Sequence, residues 1–298
     1  MIPRMAVFID THCHLDAPEF GAQAAQVHAR SRRAGVALCL IPSVAPSNFE
    51  TVRALAHAQQ DAYSLGIHPL CTAEAGEAAL DVLQAALDLH GDDPRLVAVG
   101  EIGLDYFVPE LDGPMQERLF RRQLQMAWQR QLPVLLHVRR SVDKVLRQLR
   151  EVGGGRPWHG IAHAFVGSRQ QAEECLGLGL KLGLGGAMTF ERATRLRELA
   201  TQLPLESFVL ETDAPDIPPS WLYQTREARE AGSPQGRNEP AEVPRIAQVL
   251  AELRGLTVEV VADATTRNAL AAVPRLAALM PARDAGLAEL SDAADVPP

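Results

Sequence analysis

The sequence predicts a (β/α)8 barrel, a parallel α/β fold of the TIM type, and three observations lead there. Short apolar runs recur, each followed by a longer helix-like stretch, and eight such units cover about 260 residues, the size of one barrel. The runs are dense in Val, Ile, Leu and Ala instead of alternating with polar residues, which suits strands buried on both faces of a parallel sheet. The chain has 298 residues, 47% hydrophobic and 22% charged, enough apolar material for one large core. An open doubly wound sheet shares these features and is the alternative that periodicity alone leaves standing.

In chain order, the apolar run Met5–Asp10 is the first strand, and a helical pattern over Ala22–Ala34 follows it. Val36–Pro42, wholly apolar, is the second strand, with Phe49–Gln59 as its helix. Ala62–Ile67 leads to the helix Glu77–His90, and Leu96–Ile102 to Pro114–Arg130. Pro133–Val138 precedes Val142–Arg150, Gly160–Phe165 precedes Arg169–Leu178, and Lys181–Ala187 precedes Arg192–Leu203. Phe208–Thr212 is the eighth strand and Pro240–Leu253 the helix after it; Asp263–Ala278 reads as one more helix without evident chemistry. The stretch 213–239, with several Pro and Gly, breaks this rhythm, and in a barrel it is a loop over the face where function concentrates. We therefore expect one domain over residues 1–280 and a disordered, Ala-, Asp- and Pro-rich tail over 281–298.

The formal net charge is −8, and Lys144 and Lys181 are the only lysines in a basic set of 29. That balance argues against non-specific coating of nucleic acid, yet it leaves room for a local site, because bound divalent cations add positive charge. No run of about 18 apolar residues is present, so no membrane association is expected. The first residues show no basic segment leading into a long apolar run, so no secretory signal is expected either. Cys13, Cys39, Cys71 and Cys175 are scattered with no CxxC spacing, which reads as free thiols in a reducing, cytoplasmic setting. No obligate protein partner is implied.

Residues able to do chemistry gather at strand ends. The first strand runs into Asp10-Thr11-His12-Cys13-His14-Leu15-Asp16. Side chains alternate on a strand, so His12 and His14 share a face and Cys13 turns away. Two imidazoles on one face at a strand end form a metal clip. Glu101 lies near the end of the fourth strand, His137 ends the fifth, His163 lies in the sixth, and Asp213 follows the eighth. In a barrel all these ends converge. Carboxylates bunched there repel one another, and divalent cations relieve that. Four histidines and two carboxylates exceed one tetrahedral structural site and suit two ions sharing a carboxylate, a pair that activates water near neutral pH. Nitrogen and oxygen donors without thiolate suit Zn, Mn, Co or Ni, and Mg less readily.

Further motifs extend the pattern: Gly-Ile-His-Pro at 66–69, Gly-Glu-Ile-Gly-Leu-Asp-Tyr at 100–106, Pro-Val-Leu-Leu-His-Val-Arg at 133–139, Leu-Glu-Thr-Asp-Ala-Pro at 210–215 and Arg-Asn-Glu-Pro at 237–240. In content and order, over residues 5–275, this set resembles the TatD-type metal-dependent hydrolases, a branch of the amidohydrolase-like barrels. The resemblance implies the (β/α)8 fold. It implies one metal held by His12, His14, Glu101 and Asp213, a second held by Glu101, His137 and His163 with Glu101 bridging, and Asp213 as proton acceptor for the attacking water. Glu101 and Asp213 are thus the expected catalytic residues. The family's best-known activity is hydrolysis of DNA phosphodiesters, often from a 3′ end, so a deoxyribonuclease of 3′–5′ exonuclease type with DNA as substrate is the implied function. Some members cleave other bonds, including esters on mischarged tRNA. An esterase or amidase acting on aminoacyl-tRNA or a small molecule is therefore the alternative, and a non-catalytic metal-binding scaffold a third reading. One departure stands out: Asp216-Ile217-Pro218-Pro219 replaces the aromatic or large apolar residue of many nuclease members and resembles a divergent YjjV-type subgroup. A carboxylate at the mouth opposes a polyanion.

The remaining candidates are substrate contacts and supports. His68 is expected to contact the scissile group, or else to stabilise the turn before Pro69. Arg139 and Arg237 carry guanidinium forks suited to phosphate, or else form loop salt bridges. Glu211, in phase with Asp213 and one layer deeper, is placed to fix a histidine tautomer. Tyr106 and Phe107 offer surfaces for a base, or simply pack. A sequence-level discriminator follows: clustering of Arg139, Arg140 and Arg237 favours a polyanion, and dominance of Asp105, Glu110, Asp112 and Asp216 disfavours it.

Overall fold

A computed structural model describes residues 6–234 and 236–281. Residues 282–298 of the expected tail lie outside the described residues. Eight strands, β1 (Phe8–Asp10), β2 (Val36–Pro42), β3 (Ala62–Leu65), β4 (Leu96–Asp105), β5 (Val134–Arg139), β6 (Gly160–Ala162), β7 (Leu180–Leu184) and β8 (Phe208–Leu210), form one sheet in chain order. Every neighbouring pair is parallel. The seam between β8 and β1 is closed just past the strand ends. There Thr11 N–H donates to the Leu210 carbonyl (3.1 Å), Asp213 N–H to that of His12 (2.8 Å) and His14 N–H to that of Ala214 (2.7 Å). The sheet is a barrel, and the open-sheet alternative is set aside.

Helices return the chain between strands: α1 (Ala24–Arg33), α2 (Phe49–Gln59), α3 (Thr72–Ala75), α4 (Ala78–Leu89), α5 (Gly113–Arg130), α6 (Val142–Gly153), α7 (Arg169–Gly177) and α8 (Thr194–Gln202). After β8 come α9 (Arg226–Glu230), α10 (Val243–Arg254) and α11 (Val258–Ala272). Local chemistry sets their ends. Asp112 caps α5 by accepting from Met115 N–H at 3.0 Å, and Gln131 ends it in the left-handed region at φ 55. No described helix is long and apolar enough to cross a membrane.

Some boundaries differ from expectation, each for a physical reason. The expected helix Asp263–Ala278 starts earlier, at the Thr257 cap, and stops before Pro274, whose ring and missing N–H end it; a 3-10 turn over Pro274–Leu279 follows. β4 runs on to Asp105 because it pairs with β5 as far as Arg139. β6 and β8 end at Ala162 and Leu210, so His163 and Asp213 stand on the loops just beyond. β7 gives way to a 3-10 turn at Gly186–Thr189.

The core has two parts. Outward-facing strand residues such as Cys39, Leu65, Leu136, Phe208 and Leu210 pack against the helices. Alternate residues, among them Ile9, Leu38, Leu40, Leu135, Ile161 and Val209, form a smaller inner cluster that Ala269, Ala272, Val273 and Leu276 close from α11 and the turn after it. The amino-terminal mouth is thus plugged with hydrocarbon. The strand period carries the inward phase on from Leu135 to His137, from Ile161 to His163 and from Val209 to Glu211.

Candidate active site

The carboxyl-terminal mouth gathers what the sequence scatters. Glu101, 1% exposed, stands at the centre. Its Oε2 lies 3.1 Å from His12 Nε2 and 3.6 Å from His14 Nε2. Its Oε1 lies 2.9 Å from His137 Nδ1, 3.0 Å from His163 Nε2 and 3.3 Å from His68 Nε2. Asp213 Oδ1 sits 3.6 Å from both His12 Nε2 and His14 Nε2. Asp213 has φ 58, in the left-handed region, at the turn that leaves β8. His12 and His14 do share a face, their Nε2 atoms 3.3 Å apart, and Cys13 turns into the outer core. His12 also stacks on His163, with ring centroids 3.8 Å apart.

This donor set fits metal ions. Three groups, His12–His14–Glu101, His12–His163–Asp213 and His68–Glu101–His137, each offer ligand atoms within 4.8 Å of one another. No arginine or lysine enters the ion pairs of Glu101 or Asp213 among the described residues. The Nε2 atoms of His12, His14 and His163 and Nδ1 of His137 all face the Glu101 carboxylate. Buried polar clusters of this kind are costly unless something else completes them.

Tautomers sort the histidines. Asp105, fully buried, accepts His137 Nε2–H at 3.0 Å, which leaves the Nδ1 lone pair aimed at the centre. His68 is the reverse: its Nδ1 accepts Leu70 N–H at 3.1 Å, so in the neutral ring Nε2 carries the proton. In this orientation His68 is a hydrogen-bond donor at the mouth, and it also stabilises the turn before Pro69. Glu211 Oε1 comes to 3.7 Å of His163 Nδ1, outside hydrogen-bond distance, and accepts Ala164 N–H instead. Gly183 makes room for that carboxylate, since a Cβ there would collide with both Glu211 oxygens.

The charges are strongly coupled. Burial opposes ionisation of Glu101, yet His68, His163 and His12 outweigh it and hold its carboxyl well below the usual range. Burial raises Asp213 to about 6, against the pull of His163 and His14. Burial also works against a charged His14, but Glu101 and Asp213 raise it to about 9. His12, buried and beside His163, falls to about 3.

The outer candidates divide. Arg139 lies on Phe107, its Cζ 3.8 Å from the ring centroid, and Arg140 reaches the same ring at 4.7 Å. Arg237 does not join them. Its guanidinium donates to the Glu19 carbonyl (2.8 Å), to Gln23 and to the Glu239 carboxylate (both 3.0 Å), the last being the salt-bridge alternative. Of the four acids, Asp105 turns inward to His137 and Asp112 caps α5, so only Glu110 and Asp216 face solvent without such a task. Sequence reasoning missed two supports. Asp105 reads as one more acid at the mouth, although its place in the strand, two residues before Phe107 and opposite Arg139, held the clue. Asn238 is fully buried, and its Nδ2 donates to the carbonyls of Thr212 (2.8 Å), Asp216 (2.9 Å) and Ile217 (3.2 Å), clasping the turn that carries Asp213.

A barrel with histidines and carboxylates gathered at its carboxyl-terminal mouth has the layout of a metal-dependent hydrolase. Comparison narrows this further. The family described as TatD related DNase matches residues 9–273, and the chain belongs to the TatD family. It is 39% identical over 262 residues to the protein named uncharacterized metal-dependent hydrolase YjjV of Escherichia coli, covering 88% of this chain and 95% of that one. It is 33% identical over 270 residues to the 3′-5′ ssDNA/RNA exonuclease TatD of Erwinia billingiae, covering 87% and 96%. The crystal structure of the Escherichia coli YjjV protein superposes with a TM-score of 0.80 at 37% identity, covering 90% of this chain and 98% of that one.

Proposed function

We propose that this hydrolase is a deoxyribonuclease that shortens DNA from a 3′ end with two divalent metal ions. The observation that carries the reading is the division of Glu101: one oxygen faces His12 and His14, the other His137 and His163. His12, His14, Glu101 and Asp213 would hold one ion, and Glu101, His137 and His163 the other. When bound, such ions lower the pKa of water and neutralise charge on phosphoryl oxygens. The protein's own groups do the rest. Asp213, at the mouth beside His12 and His14, takes the proton of the attacking water. His68 donates Nε2–H to a phosphoryl oxygen, and Asp105 holds the His137 ring in register. Arg139 meets the substrate at the rim. Relatives named 3′-5′ ssDNA/RNA exonuclease support this substrate and polarity. Zn, Mn, Co or Ni suits the donors best. We read residues 1–280 as one catalytic domain, and the four unpaired cysteines suit the cytoplasm.

A second reading, an esterase or amidase acting on aminoacyl-tRNA or a small molecule, draws on exposed Asp216 beside the mouth. End-labelled single-stranded DNA separates the two. Metal-stripped protein, protein reloaded with Mg, Mn or Zn, and Asp213→Ala are compared. A ladder receding from the 3′ end, restored by metal and lost in the variant, is expected. A folded, metal-loaded wild type that leaves DNA intact transfers the function to the second reading.

A further inference from the structure

The rim between β4 and β5 holds a feature that lies outside the cluster of histidines and carboxylates. Arg139 and Arg140 are consecutive at the end of β5, where strand geometry would send them to opposite faces. Arg140 instead has φ 56, in the left-handed region, and this turn brings both guanidinium groups to the one ring of Phe107. The ring itself is held. Asp105, whose Oδ2 orients His137, accepts Phe107 N–H on its Oδ1 at 2.8 Å. Gln116 grips the backbone of Asp105 at N–H (2.8 Å) and C=O (3.1 Å), and Ser141, next to Arg140, donates to Leu104 at 2.7 Å. The ledge is thus tied to the same carboxylate that positions a metal-site histidine.

Ion pairing divides the arginines, and Arg122, like Arg140, has none among the described residues. Arg118, Arg121, Arg150 and Arg226 are each in an ion pair with a glutamate. Among the described residues Arg140 has no ion pair, and the nearest carboxylate oxygen to Arg139 is Asp105 Oδ2 at 4.0 Å. Phe107 is 46% exposed, so its placement there is not explained by burial. On a chain of net charge −8, two adjacent guanidinium forks with free donors, fixed by stacking, form a local anion site.

We propose that Arg139, Arg140 and Phe107 form a subsite for a flanking phosphodiester of a single-stranded polynucleotide, a contact separate from the scissile group. The subsite makes the enzyme favour oligomeric substrates over single phosphodiesters. This rests on the nuclease reading above, and the test keeps the two apart.

Arg140→Gly removes the guanidinium while tolerating the positive φ, and Phe107→Ala removes the exposed ring. Each is compared with wild type on a single-stranded DNA oligonucleotide and on the p-nitrophenyl ester of thymidine 5′-phosphate, which has no flanking phosphodiester. Metal content and circular dichroism serve as fold controls. The ratio of kcat/KM for the oligonucleotide to that for the ester is expected to fall about tenfold in each variant, mainly through KM. The salt dependence of oligonucleotide binding should flatten by about 0.7 in log–log slope for each phosphate that the variant no longer neutralises. Wild type that cleaves DNA, with variants whose ratio is unchanged, overturns the subsite and leaves the nuclease reading intact. Equal losses on both substrates also overturn it, because the residues are then merely structural. Wild type that hydrolyses the ester but not DNA overturns both.

Discussion

The two mouths of the barrel bury charge in opposite ways. At the amino-terminal end, Asp61 is fully buried, accepts Arg32 at 2.6 Å and Cys39 N–H at 2.7 Å, and has His28 3.0 Å away. Nearby, Asp93 accepts Tyr63 O–H at 2.9 Å and Arg95 N–H at 3.0 Å. Each of these carboxylates also meets an imidazole, His28 or His57, but beside it stand permanent cations, hydroxyls and main-chain donors. Glu101 and Asp213, at the other end, have only imidazoles as ion-pair partners among the described residues. One end sets arginines and main-chain donors against its carboxylates; the other ranges imidazoles alone round a shared centre. In such barrels the first arrangement serves stability and the second serves function.

Substitutions at the two ends should therefore separate activity from stability. The largest effect is expected at the centre. Glu101→Ala removes the one carboxylate that both halves of the site share, so kcat should drop by about a thousandfold or more. Elemental analysis should find fewer than two ions per chain in a protein whose far-ultraviolet spectrum is unaltered. A variant that keeps full metal content and activity would erase the contrast. At the opposite mouth, Asp61→Ala leaves Arg32 without its buried partner. It should lower unfolding stability by about 3 kcal/mol in urea titration, while kcat per folded molecule stays within twofold.

Between these extremes lies Asn238, structural in its contacts but located beside Asp213. Asn238→Ala frees three carbonyls and should cost about 2 kcal/mol of stability. Loosening the Asp213 turn should also lower kcat, by about tenfold. A stability loss with unchanged kcat would class the clasp with the amino-terminal mouth instead.

The smallest expected effect is on pH. Without metal, His14 is raised to about 9, so near neutral pH it carries a proton that a ligand must lose. A raised histidine pKa favours the metal-free form at low pH, so metal affinity should rise with pH up to about 9. Calorimetric titration in buffers of different ionisation enthalpy should register proton release on loading at pH 7. Absence of release would mean the ring is already neutral and the carboxylates at this mouth are weaker partners than their geometry implies.

Much of the centre is legible in the sequence. His12 and His14 share a face because a strand has a period of two. Glu101, His137, His163 and Asp213 stand out because each is a donor at the end of an apolar run. What stays hidden depends on local backbone sign and on neighbours distant in sequence. Arg140 points with Arg139 only because of its positive φ, and Arg237 is drawn away by Glu19, Gln23 and Glu239. Asp105 looks like a mouth acid until β4 is seen to pair with β5 through it, opposite Arg139.

By itself, then, the sequence determined the parallel strands, their helices and the inventory of donors, because hydrophobic periodicity and residue type are local properties. Tertiary structure alone decided which Glu101 oxygen faces which histidine, which ring nitrogen carries a proton, and which arginines remain free. Those are relations between strands separated by tens to hundreds of residues, set by barrel closure and by hydrogen bonds that no single segment contains.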